Sequence, residues 1–246
     1  MRNSKLQTSK IQTNMNNKKI NSKLLGIFDL AFLFCFVVGS MMFGFLPAGC
    51  ARQVTQYVNY GSQMEVEITL AGTMEVNASR YFLVLAGVPT FKLPLPPPDN
   101  PNQDEMIEPG TTPRNGVEAD YYTNYFSTWS GYCLAEPAGY FTVAGPFVQG
   151  VAATRESLGV ITTLSNTVKF SFALEKIFGN NIPDKIYFDV VTVDWPTATA
   201  RLPMDHINTT DAYISKVSGS NKSIDDESSP ALPPALDIIK CSITIQ

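Results

Sequence analysis

Met64-Glu65-Val66-Glu67-Ile68-Thr69-Leu70 alternates apolar and polar residues without a break. Successive side chains of a strand point to opposite faces, so a period of two marks a strand with one face buried and the other in water. Thr167 to Leu174 repeats the pattern, with Val168, Phe170, Phe172 and Leu174 set against Thr167, Lys169, Ser171 and Ala173. Working outward, Arg80 to Gly87 (RYFLVLAG) and Lys185 to Asp194 (KIYFDVVTVD) are nearly continuous apolar, β-rich runs suited to a sheet interior. Asp237 to Ile245 places Ile239, Cys241, Ile243 and Ile245 on one face, and weaker strand patterns occur at 131–134, 139–144 and 156–164. Helical periodicity is nearly absent; the best segment is one turn at Glu175 to Phe178. The chain is therefore predicted to be all-β, with one antiparallel β-sandwich of about eight strands over residues 63–246.

Two stretches break the strand pattern. Pro94 to Gly116 holds 7 of the 17 prolines together with Asp99, Asp104, Glu105 and Glu108. Proline removes ladder donors and the acids favour water, so this insertion is expected to project from one end of the sandwich. Lys216 to Ala235 is rich in Ser, Asp and Pro and reads as a second loop.

Composition narrows the function classes. Charged residues make up 16% of the 246 and hydrophobic ones 44%, which excludes a disordered chain and a coiled coil. One histidine excludes a multi-histidine metal site. The charge is split. Residues 1–49 carry six bases against Asp29, a net +5, whereas residues 50–246 carry twelve bases and twenty-one acids, a net −9. An acidic body lacks the clustered Lys and Arg that phosphate neutralisation needs, so no nucleic-acid partner is expected.

The basic start leads into an apolar run. Leu30 to Gly49 contains no charge and is rich in Phe, Leu, Val and Met. Such a run serves either as the apolar region of a cleaved signal peptide or as an uncleaved membrane anchor. Gly44, Pro47, Ala48 and Gly49 suit an extended, protease-accessible stretch better than the end of a spanning helix. In both cases the basic flank stays inside, and residues 51–246 are expected on the extracytoplasmic side, in a periplasm or at a cell surface.

Leu46-Pro47-Ala48-Gly49-Cys50 resembles the lipobox of bacterial lipoproteins, with two small residues before a cysteine and Leu46 four residues ahead of it. The resemblance implies cleavage before Cys50 and a covalent lipid on its thiol, which would make membrane lipid the chain's first partner. The expected organisation is then a leader at 1–49, a tether at 50–62 and the sandwich at 63–246 with its insertion at 94–116. A second resemblance covers about fifty residues, MEVEITLAGTMEVNASRYFLVL and TVKFSFALEKIFGNNIPDKIYFDVVTVD. These are similar to passages of family-nine carbohydrate-binding modules and DOMON-like sandwiches, which implies the fold and, more distantly, glycan binding.

Residues able to carry chemistry are few. The chain contains no GxSxG, HExxH, phosphate-cradling glycine loop or EF-hand ladder, so a non-catalytic domain without cofactor or metal is expected. The alternative is a hydrolase whose carboxylates meet only in the fold. His206 follows Asp205 and reads as a loop residue near Pro203. Tyr121, Tyr122, Tyr125 and Trp129 lead a run of eight aromatics within 21 residues. They read either as a platform for stacking a glycan or as core. Asp225, Asp226 and Glu227 form the densest acidic run, read as a solvated loop before a calcium site. Cys133 and Cys241 either pair in an oxidising envelope or are buried thiols. Beyond lipid, the expected partners are a glycan or an envelope protein.

Overall fold

The computed structural model describes residues 60–95, 104–207 and 211–246. The expected leader, Cys50 and most of the expected tether lie outside the described residues. Eleven strands follow in chain order: β1 Gln63–Leu70, β2 Ser79–Ala86, β3 Gly131–Glu136, β4 Gly139–Ala144, β5 Arg155–Gly159, β6 Thr167–Ala173, β7 Lys185–Asp194, β8 Pro203–His206, β9 Tyr213–Ser215, β10 Asn221–Asp225 and β11 Ile238–Ile245. They form two antiparallel sheets, one in the order β10-β11-β1-β6 and one in the order β5-β4-β3-β2-β7-β8, with β9 also paired to β7. The chain is an all-β sandwich.

β1 lies between β11 and β6, with Val66 opposite Ile243 on one side and Phe170 on the other. Its alternation becomes geometry directly: Met64, Val66, Ile68 and Leu70 are buried, while Glu65 and Glu67 face water. The inward residues of β1, β6 and β11 meet Tyr81, Leu83 and Leu85 of β2, Cys133 of β3, and Ile186, Phe188 and Val190 of β7. The single helical turn forms where expected, at Glu175–Phe178, and buries Ile177.

Three strands were not expected. β8 and β9 are four and three residues long, too short for a period to register, and β10 is a polar edge strand inside the presumed Lys216–Ala235 loop. On β11, Thr69 faces Lys240 but Leu70 faces Ile238, so Ile239 bulges out of the ladder. The bulge puts Ile238 in the core and leaves Ile239 only half-buried, which corrects the expected face of that strand.

The middle strands of the seven-stranded sheet, β2, β3 and β7, are buried on both faces. Phe82 and Val84, Tyr132 and Leu134, and Val191 and Val193 point away from the inter-sheet core into a second apolar layer. The β2–β3 connection supplies most of that layer: Met106, Ile107, a helix at Glu118–Asn124, a 3-10 turn at Phe126–Thr128, and Trp129. Residues 104–108 of the insertion therefore pack against the sheet instead of projecting into solvent as expected. In its described part Glu105, Met106 and Ile107 are fully buried and Glu108 nearly so. The two apolar side chains gain about 1.5–3 kcal/mol each from burial.

The buried acids are tied by distant bases. Glu105 lies 3.6 Å from the Arg201 guanidinium and also accepts a hydrogen bond from the Arg201 backbone N–H. Glu108 pairs with Arg155 and accepts from the Tyr132 hydroxyl at 3.0 Å. Arg155 also reaches Glu136 at 2.8 Å, and Glu136 lies 3.5 Å from Arg80. Arg80 and Arg201 each lie 5.1 Å from the Trp195 ring. A continuous chain of charge and ring contacts thus joins Glu105 to Glu108 around the cover of the large sheet.

Candidate functional site

Two concave places in the described structure gather polar side chains. The first is built on β7 and β8. Asp189 is the one charged residue inside the apolar run Ile186–Val193, and it points to the same side as Val191 and Val193. Its carboxylate accepts the Ile207 N–H at 3.1 Å and lies 3.2 Å from His206 Nδ1. His206 is held by its backbone as well: β8 sets it opposite Val191, and its N–H donates to Asp205 at 2.9 Å. Asp205 in turn accepts the Ile238 N–H at 2.7 Å, joining β8 to the start of β11. His206 is thus a strand residue with a buried partner, not the loop residue its neighbour Pro203 suggested.

The electrostatics of the pair follow from its setting. The hydrogen bond to Asp189 raises the His206 pKa above the ordinary histidine value, outweighing the opposing effect of burial. Burial raises the Asp189 pKa even though His206 and two backbone N–H groups favour its charged form. Asp189 lines a concavity of about 210 Å³ with Phe91, Leu93, Leu95 and Tyr187. His206 lines an adjoining one of about 200 Å³ with Leu95, Pro203 and Met204. An imidazole oriented by a buried carboxylate is the base-and-orienter half of a nucleophilic constellation. Among the described residues, neither concavity is lined by a Ser, Thr or Cys.

The second place is the outer face of the four-stranded sheet. Glu65 and Glu67 of β1, Lys169 and Ser171 of β6, and Ser242 and Thr244 of β11 line a shallow concavity of about 510 Å³. Lys169 bridges to Glu67 at 2.7 Å across the β1–β6 pair. Its side chains are polar because they are the out-pointing half of the strand alternation, and no aromatic side chain points out there from these strands.

The aromatic run is placed elsewhere. Tyr121, Tyr122, Tyr125 and Trp129 are all buried, at 0%, 8%, 1% and 4% exposure. They form no stacking platform; they cover the outward-pointing residues of β2, β3 and β7, where rings fill a wide gap between loop and sheet. Phe126 stands edge-on to both Tyr122 and Trp129, and Trp129 Nε1 donates to the Lys92 carbonyl at 2.8 Å. The Tyr121 hydroxyl accepts the Glu105 N–H, which fastens the helix to the insertion.

Cys133 and Cys241 are free, buried thiols rather than a disulfide. Burial pushes both above the ordinary thiol range, Cys241 to about 12. The acidic run is divided between strand and loop: Asp225 ends β10 and lies 3.4 Å from Lys240, and Asp226 caps the Glu227 N–H. Among the described residues no three His, Cys, Asp or Glu side chains are grouped to hold a metal ion.

Sequence reasoning passed over Asp189, although a lone acid in an apolar β run signals a buried carboxylate with a partner. No protein-family model, curated protein or solved structure matches the chain.

Proposed function

We propose that the chain is a membrane-tethered, extracytoplasmic lipoprotein whose sandwich domain works by binding rather than by catalysis. The tether half of this reading rests on the basic start, the charge-free run Leu30–Gly49 and the Leu46–Cys50 pentad. The binding half rests on one observation. The middle strands of the large sheet are covered on both faces, whereas the small sheet leaves a polar, concave face open, lined by Glu65, Glu67, Lys169, Ser171, Ser242 and Thr244. A face of hydroxyls and carboxylates without exposed rings favours a polar partner such as an envelope protein segment or the hydroxyls of a glycan. Glycan stacking on Tyr121, Tyr122, Tyr125 and Trp129 loses its support, because those rings are interior.

The pair His206 and Asp189 supports a second reading, a hydrolase in which His206 acts as general base. One experiment separates the two. The full chain in detergent is screened on a glycan array and against envelope extract, with hydrolysis products analysed in the same wells. Ligand retention abolished by Glu65→Lys with Glu67→Lys supports open-face binding. Product formation abolished by His206→Ala supports the hydrolase. Retention that survives the Glu65 and Glu67 changes sinks the binding face.

A further inference from the structure

We infer that the end of the sandwich formed by Tyr60, Lys185, Tyr187, Tyr213, Lys216 and Lys222 rests on the anionic surface of the membrane that holds the chain. This inference builds on the tether reading above and adds an orientation to it. Tyr60 directly precedes β1 and is bridged to Val217, and the Gly61 N–H donates to the Lys216 carbonyl at 2.8 Å. Nine residues separate Tyr60 from Cys50. Fully extended, that length of chain reaches about 35 Å at most, so the end bearing Tyr60 cannot stray far from the lipid.

The chemistry collected at this end is that of a membrane interface. Tyrosine places a flat ring at headgroup depth with its hydroxyl in water, and lysine reaches past it with a long apolar stem and a charged tip. Here the two types are paired. Lys185 lies 4.4 Å from the Tyr213 ring, Lys222 lies 6.0 Å from the same ring, and Lys216 lies 4.6 Å from the ring of Tyr60. Tyr187 and Tyr213 stand 5.7 Å apart across the β7–β9 pair. Tyr60 is 58% exposed, unlike the buried tyrosines of the cover.

Charge gives the same direction. Of the three lysines, Lys216 pairs with Asp184 at 2.9 Å, while Lys185 and Lys222 lie over the Tyr213 ring. The exported part as a whole is −9. The open face of the small sheet begins just beyond, with Glu65 and Glu67. An anionic surface attracts juxtamembrane lysines and repels that acidic face. The domain accordingly stands with its lysine–tyrosine end on the bilayer and its open face clear of it.

Lysine acetylation of the full chain tests this orientation. The chain is reconstituted into phosphatidylcholine vesicles with and without phosphatidylglycerol and labelled with an amine-reactive ester. Each lysine is read by peptide mass spectrometry. Lys185 and Lys222 should label about fivefold more slowly on the anionic vesicles, as expected for about one lysine's worth of surface attraction. Lys169 and Lys240, on β6 and β11, should label alike on both, and added salt should erase the difference at Lys185 and Lys222. Lys185→Glu with Lys222→Glu should remove protection of Lys216 on anionic vesicles. Equal labelling of Lys185 and Lys222 on the two vesicles overturns the orientation. The mass of the Cys50 peptide separates the two claims. Lipid on Cys50 without protection refutes only the orientation, and protection without lipid refutes only the anchor. A chain that stays with neither vesicle refutes both.

Discussion

His206 Nδ1 lies 3.2 Å from a carboxylate oxygen of Asp189, with the histidine side chain 30% exposed and the aspartate 11%. Because the chain has one histidine, titration in the histidine range reports on this pair. A raised folded pKa means the stability that His206 contributes is complete below about 6.5 and is lost as pH climbs through the raised value. The raised carboxyl of Asp189 acts in the same sense from lower pH, its contribution being complete below about 4 and lost as pH climbs through its own raised value. Melting temperature should therefore fall as pH rises above about 6.5, and His206→Ala should flatten that slope. Parallel slopes in the two proteins, followed by circular dichroism, would exclude the pair as the cause.

Glu108 holds Arg155 and the Tyr132 hydroxyl at once. Glu108→Ala strands a buried phenol and frees a guanidinium that is itself 40% exposed, so the loss should be about 1–3 kcal/mol. In a double-mutant cycle with Arg155→Ala, chemical denaturation should show coupling between the two positions. Strict additivity would mean that the pair contributes nothing.

Met106 and Ile107 cover the large sheet, and truncating either to alanine should cost about 2–5 kcal/mol. Replacing residues 96–114 with a Gly-Ser linker should be worse, exposing the apolar cover of β2, β3 and β7 and producing strong binding of a hydrophobic dye. An unchanged melting temperature after that replacement would show that the insertion is a spacer.

Cys133 and Cys241 should resist alkylation in the folded chain and react fully once it is denatured without reductant. Burial shields both sulfurs and disfavours their thiolates. Site-resolved mass spectrometry distinguishes them from Cys35 and Cys50. Protection that persists in denaturant and yields only to a reductant would indicate a disulfide.

Strands with one wet face were legible in the sequence, because Glu65 and Glu67, or Lys169 and Ser171, declare the water side outright. The second buried layer was not. Covering a sheet from outside takes aromatics and prolines on irregular backbone, and the same composition describes a loop or a ligand platform. Glu105 and Glu108 read as solvated for a related reason. Their bases stand 96 and 47 residues further along, and only the fold brings Arg201 and Arg155 to them. Asp189 and His206 are 17 residues apart and meet because β8 runs antiparallel beside β7. The bulge at Ile239 has no local signature at all, since Ile238 and Ile239 are the same residue type.

The arrangement of β1 between β6 and β11 also sets how the domain answers a pull on the chain that precedes it. β1 is entered at Gln63, beside Ile245 at the end of β11, because Met64 lies opposite Ile245. Tension applied at Tyr60 and withdrawn through Gln246 would peel the β1–β11 ladder one residue pair at a time. Tension withdrawn at Asp237 instead loads the whole β1–β11 ladder in shear, because the start of β11 lies at the far end of β1, with Ile238 opposite Leu70. The same fold is thus mechanically soft along one direction and stiff along another. In an optical trap, handles at 60 and 246 should unfold the domain at lower force than handles at 60 and 237. Equal rupture forces would rule this anisotropy out.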